Sequence, residues 1–463
     1  MTERLLVIGG DAGGMAAASQ ARRRKPYMEI VALERGNWTS YSACGIPYLV
    51  AGDVATPEEL VARTPEQFRD NHRIDVRMGH EAMAIDLEQR KVEVHDRARG
   101  RTFQLGFDTL HIGTGASPIR PDLPGIDLPM VHGVQTLDDG IRLLDLARRN
   151  DCKRVVIVGG GYIGIEMAEA FIRWGAAVTL IEADSQLMRT FDPDMAAPIA
   201  TALRRHGVDV RLGVRAQGFQ AGPGAGEGGG RVETDAGPID TDLVVLALGV
   251  TPNSGLAGDA GIPLGVRDAI RVDRRQRTLS DGVYAAGDCA ESFQRVTGRQ
   301  IHVALGTVAN KQGRVAGINI GGGYASFPGV VGTAVTKVCQ LEMARTGLNE
   351  SEAQRDGFAY EAVTIDSTTR AGYFPDTKPI SIKLLAEHGS RRVIGAQILG
   401  EEGAAKRIDV LATAITAQLS VDDVIDLDLA YAPPFSGVWD AVHIAARKGA
   451  EALDRAVAEQ VRS

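Results

Sequence analysis

The sequence predicts an α/β fold made of two copies of one strand–turn–helix–strand unit, closed by a smaller α+β module. Three observations predict it. A Gly-rich turn, Gly9-Gly10-Asp11-Ala12-Gly13-Gly14, follows an apolar run at the N-terminus. A second such turn, Gly159-Gly160-Gly161-Tyr162-Ile163-Gly164, follows another apolar run about 150 residues later. Beyond about Val330 the pattern changes to alternating strands.

Each element can be justified in chain order. Leu5 to Ile8 reads as a strand, Met15 to Arg24 as an Ala-rich helix, and Glu29 to Leu33 as a second strand closed by Glu34. The unit recurs as a strand at Val155 to Val158, a helix at Ile165 to Trp174, and a strand at Val178 to Ile181 ending on Glu182. Two units this far apart indicate two separate folds, not a solenoid. The run Ala221 to Gly230 reads as a flexible surface turn inside the second unit. In the last module Ala334 to Val338, Ile380 to Leu385 and Val393 to Ile398 read as strands, and Ala404 to Leu419 as one helix.

Composition narrows the class. At 463 residues the chain suits two or three domains, and 44% apolar with 24% charged residues is ordinary for a soluble globular protein. A net charge of −8 argues against nucleic acid as a partner. The run Arg22-Arg23-Arg24-Lys25 reads as a solvated helix end. No apolar stretch is long enough to span a membrane, and the first strand begins too early to leave room for a signal peptide. The four cysteines, Cys44, Cys152, Cys289 and Cys339, are far apart and lack metal-ligand spacing, so a cytoplasmic protein with no metal is expected.

The glycines of such a turn let backbone N–H groups and a helix N-terminus approach a dinucleotide pyrophosphate. Gly159, Gly161 and Gly164 complete the second copy, but Asp11 takes the middle glycine position of the first. The Asp11 carboxylate must therefore turn away from a phosphate or hydrogen-bond locally. Glu34 lies 20 positions past Gly14, the spacing at which a carboxylate meets ribose hydroxyls. Glu182 closes the second copy in the same way, and no arginine directly follows it in Glu182-Ala183-Asp184-Ser185. NADH is therefore expected in preference to NADPH.

Leu110-His111-Ile112-Gly113-Thr114-Gly115-Ala116 and Gly282-Val283-Tyr284-Ala285-Ala286-Gly287-Asp288 are each an apolar strand closed by a small-residue turn. With the two fingerprints, they resemble the two-dinucleotide-domain flavoprotein disulfide reductases across essentially the whole chain. The resemblance implies two Rossmann-like domains and a C-terminal dimerisation domain. FAD would occupy 1–118 with 254–330, NADH (or, as the alternative, NADPH) 119–253, and the dimer module 331–463. FAD contacts would come from Gly9, Gly13, Gly14, Glu34, Arg35, Ser42, Thr114, Gly115, Ala116, Gly287, Asp288, Ala304 and Leu305. NAD contacts would come from Gly159, Gly161, Tyr162, Ile163, Gly164, Glu182 and Gly249, with Tyr162 gating the flavin face. Taken without the resemblance, Asp288 could be only a helix N-cap.

Most members of that superfamily carry two cysteines separated by four residues. The position five beyond Cys44 is Leu49. Ser40-Tyr41-Ser42-Ala43-Cys44-Gly45-Ile46-Pro47-Tyr48 instead resembles the single-cysteine branch of coenzyme A-disulfide reductases, persulfide reductases, NADH oxidases and NADH peroxidases. Gly45 and Pro47 look like a helix start whose dipole would favour a Cys44 thiolate. The other three cysteines read as inert. Gly372-Tyr373-Phe374-Pro375, Glu402 to Leu411 and Tyr431-Ala432-Pro433-Pro434-Phe435-Ser436 resemble the coenzyme A-disulfide reductases most closely.

That likeness implies a homodimer in which Tyr373 and Tyr431 approach the partner's Cys44, which exchanges with a small thiol or disulfide. Coenzyme A is one candidate. Gln20, Arg23 and Ser40 match substrate-holding positions, whereas Ala43 replaces an expected asparagine and His72 and Trp439 replace expected lysines. His302 receives no role. The alternatives are an NADH oxidase or peroxidase cycling Cys44 through a sulfenic acid, and a flavin electron carrier serving a partner protein.

Overall fold

The computed structural model describes residues 3–149, 152–222 and 229–462; positions 223–228, most of the Gly-rich run, lie outside the described residues. Two five-stranded parallel sheets share one plan. In the first, strand Arg4–Ile8 lies between Glu29–Glu34 and Thr109–Ile112, with Asp75–Met78 and Val283–Ala285 at the edges. In the second, Arg154–Val158 lies between Ala177–Glu182 and Leu243–Leu246, flanked by Asp209–Leu212 and Val131–Gly133. In each sheet the strand before the Gly-rich turn has neighbours on both sides, so its C-terminal end opens at the crevice where such sheets bind ligands.

The chain leaves and re-enters the first sheet through one short ladder, Ala116–Pro118 against Val250–Pro252. The Thr114 hydroxyl donates to the Asn253 carbonyl at 2.6 Å, and the Asn253 amide donates back to the Thr114 carbonyl at 2.9 Å. The first helix, Ala12–Arg24, is small-sided, which lets helix Gly306–Ile320 lie directly on it. A Cβ at Gly313 would stand 2.2 Å from the Gly13 carbonyl oxygen, and one at Gly317 2.3 Å from that of Ala17. That contact fixes where the Gly306 end of the second helix lies.

The C-terminal module is a five-stranded antiparallel sheet in the order Ala334–Val338, Leu341–Gly347, Val393–Gly400, Pro379–Glu387, Tyr360–Thr368. The sequence reading missed the second and last of these strands and the closing helix Ala441–Arg462. The helix expected over Ala404 to Leu419 is a 3-10 turn, Ala405–Arg407, followed by Ile408–Ala417, and it ends at Gln418 in a left-handed conformation (φ 60°). The module grips the second sheet domain through a buried ion cluster. The Lys383 ammonium meets Asp192 at 3.4 Å and Asp194 at 2.8 Å and also pairs with Glu350, while Gln397 donates to Asp192 at 2.6 Å. The acidic trio Asp192, Asp194 and Glu350 thus already holds a cation.

The basic run at the end of the first helix is solvated as expected at Arg23 and Arg24 but not at Arg22. Arg22 is buried and donates to four carbonyls, those of Lys25, Pro26, His72 and Arg73. Its fork ties the helix to the end of helix Pro65–His72. No helix among the described residues is long and apolar enough to cross a membrane.

Candidate active site

The two fingerprints are built alike, atom for atom. Gly10 N–H donates to Glu34 Oε2 at 2.9 Å and Gly36 N–H to Oε1 at 2.7 Å. Gly160 N–H donates to Glu182 Oε2 at 2.7 Å and Asp184 N–H to Oε1 at 2.9 Å. Each carboxylate is thereby aimed by backbone and still has lone pairs free for hydroxyl donors. Gly14 and Gly164 allow the close approach: a Cβ on either would stand 2.0 Å from the carbonyl oxygen of Gly9 or Gly159. At Gly161 an added Cβ would meet nothing within 4 Å, so the turn opens onto free space where a pyrophosphate fits.

In the first copy Asp11 turns its carboxylate aside and accepts from Tyr41 N–H at 3.2 Å, the local hydrogen bond its position demanded. The residues expected at the flavin gather around this turn. Asp288 follows strand Val283–Ala285 and is succeeded by a turn, so the N-cap reading fails. Burial raises the pKa of its carboxyl, and His302, whose ring donates to the Asp288 carbonyl at 2.7 Å, opposes that shift. Ala304 and Leu305 precede Gly306 at the start of the long helix. Arg35 stays exposed, 4.0 Å from Glu81. Ser42 donates its N–H to the Leu60 carbonyl at 2.8 Å, and Gly249 accepts at its carbonyl from Ile119 N–H at 2.9 Å. The fit suits a flavin dinucleotide: glycine-lined turn, aimed carboxylate, and a part-buried Asp288 carboxyl with no hydrogen bond among the described residues.

Cys44 sits in a 3-10 turn, Ala43–Gly45, just before the six-residue helix Ile46–Ala51. The expected low-pKa thiolate is not found. Cys44 reaches solvent but is ringed by enough protein that desolvation is the largest cause raising its pKa, followed by Glu166 and Asp288. Opposing them are its own N–H and that of Gly306, so the helix end serving this thiol belongs to Gly306–Ile320 and not to the short helix beside it. A turn and six residues make too weak a dipole to outweigh burial. Cys44 thus feels the charge of a carboxylate from each unit, Asp288 from the first and Glu166 from the second.

Glu166 was missed by the sequence reading. It is held on helix Tyr162–Arg173, accepts from the Thr336 hydroxyl at 2.5 Å, and its pKa is raised chiefly by burial. Tyr162 and Ile163 begin the same helix. The Tyr162 hydroxyl is buried without a geometrically sound hydrogen bond, near Thr190, and burial raises its pKa. Cys289 is fully buried with its thiol toward the Ile112 and Ala286 carbonyls, and burial pushes Cys339 up to about 11, as suits inert thiols.

The substrate positions fall into two groups. Ser40, in a left-handed conformation (φ 51°), starts the loop to Cys44, and its carbonyl accepts from Ala62 N–H at 2.8 Å. That pairing carries Arg63, also missed from sequence, to the same face as Arg23 and His72. Burial, Arg63 and Arg23, in that order, lower the His72 pKa. The Arg63 guanidinium stands 5.9 Å from the Phe68 ring, whose centroid is 6.0 Å from that of His72. Among the described residues neither Arg23 nor Arg63 makes an ion pair. Gln20 packs where the first helix crosses Gly317. Tyr373, Tyr431 and Trp439 stand exposed on the C-terminal module, with Trp439 under the Arg447 guanidinium at 4.9 Å. No hydrogen bond among the described residues joins either tyrosine to Cys44.

Two dinucleotide cradles with a lone thiol at their meeting point define a flavin- and nicotinamide-dependent oxidoreductase. The chain belongs to the pyridine nucleotide-disulphide oxidoreductases: that family's model matches residues 3–313, and the model of its dimerisation domain matches 333–442. It is 37% identical to the CoA-dependent NAD(P)H sulfur oxidoreductase of Pyrococcus furiosus, covering 96% of this chain and 98% of that one. It is 34% identical to an NADH oxidase of Methanocaldococcus jannaschii, with 97% and 99% covered. Among solved structures it resembles an NAD-dependent persulfide reductase from A. fulgidus, with a TM-score of 0.93, 38% identity, and 97% and 83% of the two chains covered. The reduced CoADR-RHD of Bacillus anthracis is also similar, with a TM-score of 0.93, 34% identity, and 98% and 81% covered.

Proposed function

We propose that this is a cytoplasmic, homodimeric reductase that uses NADH to reduce a small disulfide or persulfide at Cys44. The observation that carries the reading is the position of Cys44 beside both cradles. Helix Ile46–Ala51, which follows it, packs on helix Tyr162–Arg173 of the second, where the Trp174 indole donates to the Val50 carbonyl at 2.7 Å. The Gly306 N–H beside the first bears on its thiol. FAD, held by Gly9 to Gly14, Glu34 and Asp288, supplies the two-electron relay when bound. The turn at Gly161 receives the NADH pyrophosphate, Glu182 accepts from its ribose hydroxyls, and Tyr162 moves aside to admit the nicotinamide. The Cys44 thiolate attacks one sulfur of the substrate disulfide; the S–S bond breaks, one thiolate leaves, and Cys44 keeps the other half as a mixed disulfide. Tyr431 of the partner subunit protonates the leaving thiolate. One pair of electrons, that of a single NADH, then cleaves the mixed disulfide, releases the second thiolate and restores Cys44.

Arg23, Arg63 and His72 support a phosphate-bearing substrate such as coenzyme A disulfide, with Arg63 standing in for the lysine charge missing at His72. Relatives named as CoA-dependent support that choice. Cys44→Ser should retain FAD and its reduction by NADH while losing turnover with coenzyme A disulfide; full turnover in the variant would sink the mechanism. The relative named NADH oxidase favours a second reading, in which peroxide oxidises Cys44 to a sulfenic acid. NADH consumption driven by peroxide or oxygen, with disulfides inert, would select it.

A further inference from the structure

The two fingerprints differ at one chemically decisive position. Where the second has Gly161 facing open space, the first has Asp11. Its carboxylate is drawn toward the loop that carries the thiol. Tyr41 N–H donates to it at 3.2 Å, one residue after Ser40 N–H donates to the Gly10 carbonyl at 3.0 Å, and the Thr39 hydroxyl donates to the same carbonyl. Asp11 is therefore part of the joint that fixes the Cys44 loop to the fingerprint.

The groups facing Asp11 are unfavourable to a second negative charge. Glu34 ends the neighbouring strand, and Asp288 approaches from the end of strand Val283–Ala285. The Tyr41 phenol, on the loop, is itself held above its ordinary value by burial, Asp11 and Glu34. The N–H groups of Tyr41 and Ala12 oppose them. Burial and these carboxylates bring Asp11 to about 7 before any phosphate is near. A diphosphate on the same turn adds further negative charge in a desolvated place, which favours the neutral acid still more. The neutral carboxyl keeps one oxygen as acceptor for Tyr41 N–H and gains an O–H donor.

We propose that Asp11 is a proton-coupled positioning residue: it takes up one proton from solvent as the flavin diphosphate enters the first fingerprint, and it holds the Cys44 loop in place through Tyr41. The proposal rests on FAD occupying that fingerprint. Titrating the full chain, stripped of its flavin, with FAD tests it. Calorimetry in two buffers of different ionisation enthalpy should show close to one proton taken up near pH 8, and the FAD Kd should rise by up to about tenfold per pH unit above pH 7. Asp11→Asn should bind FAD with a Kd nearly independent of pH and with no proton uptake. FAD binding by the unmodified chain without proton uptake would overturn the proposal while leaving the flavin reading intact. The same slope surviving in Asp11→Asn would also overturn it. Failure to bind FAD at any pH would overturn both.

Discussion

The Tyr373 and Tyr431 phenols face each other on the exposed side of the C-terminal module, and the Tyr431 hydroxyl is the largest cause holding Tyr373 above its ordinary pKa. Two segments distant in sequence thus present one pair of neighbouring hydroxyls. A pair set out in solvent has no packing reason to converge. Its placement suits a task on a molecule docking from outside, such as a partner subunit.

The pair should therefore act on the oxidative half of the cycle. Tyr431→Phe is expected to slow turnover with disulfide by roughly 10²-fold, the scale of a lost general acid. Tyr373→Phe should slow it less, and neither should change the rate at which NADH reduces the flavin. Stopped-flow measurement of the two half-reactions checks this. Equal slowing of flavin reduction in Tyr431→Phe would place its effect elsewhere.

Cys44 carries a pH prediction whose sign follows from its surroundings. Burial, Glu166 and Asp288 all favour the neutral thiol, so in the flavin-free chain its pKa lies above the ordinary thiol value. Alkylation of Cys44 by iodoacetamide, followed by mass spectrometry, should then be slower at pH 7 than for a free thiol. The rate should climb about tenfold per pH unit until an inflection above about 8.5. Removing one of the two charges, as Glu166→Gln does, should move that inflection downward. An inflection well below 8 in the unmodified chain would show that the N–H of Gly306 outweighs the desolvation.

Much of this site could be read from sequence because its determinants are local. The Gly-rich turns, the strand-end carboxylates Glu34 and Glu182, and the need for Asp11 to find a nearby donor all follow from chain geometry within about thirty residues. Glu166, Arg63 and the Gly306 helix end could not be read in this way. Their roles come from packing between elements far apart in the chain, such as Thr336 with Glu166. Arg22 looked like surface charge for the same reason, since its four carbonyl partners include those of His72 and Arg73, 50 and 51 residues further along the chain. The strand Leu341–Gly347 was missed because its sequence, Leu-Glu-Met-Ala-Arg-Thr-Gly, is not an apolar run; Arg345 is buried there with Glu352 answering it at 2.9 Å and the Gly347 carbonyl accepting from it at 2.6 Å. Helix Ala441–Arg462 escaped because its buried stripe is made mostly of alanines, such as Ala441, Ala445, Ala446 and Ala450, which do not stand out as apolar in the sequence.

The final prediction concerns which disulfide is reduced. Arg63 has no carboxylate partner among the described residues, and it shares its face with Arg23 and with a His72 whose proton both arginines discourage. At neutral pH the face therefore presents two guanidinium groups and a largely neutral imidazole, enough to grip phosphate through charge-assisted hydrogen bonds. Replacing Arg63 by alanine removes one such grip at a cost of about 1.4 kcal/mol, a factor of roughly ten. Arg63→Ala should accordingly raise KM for coenzyme A disulfide about tenfold while leaving kcat nearly unchanged. KM for an uncharged disulfide such as pantethine should not move, because no phosphate is present to lose its partner. Added salt should raise KM for coenzyme A disulfide in the unmodified enzyme more steeply than in the variant, since fewer screened contacts remain there. Equal losses with both disulfides would mean that Arg63 supports the loop through Phe68 and reads no charge, and the substrate's phosphates would then have to be held elsewhere.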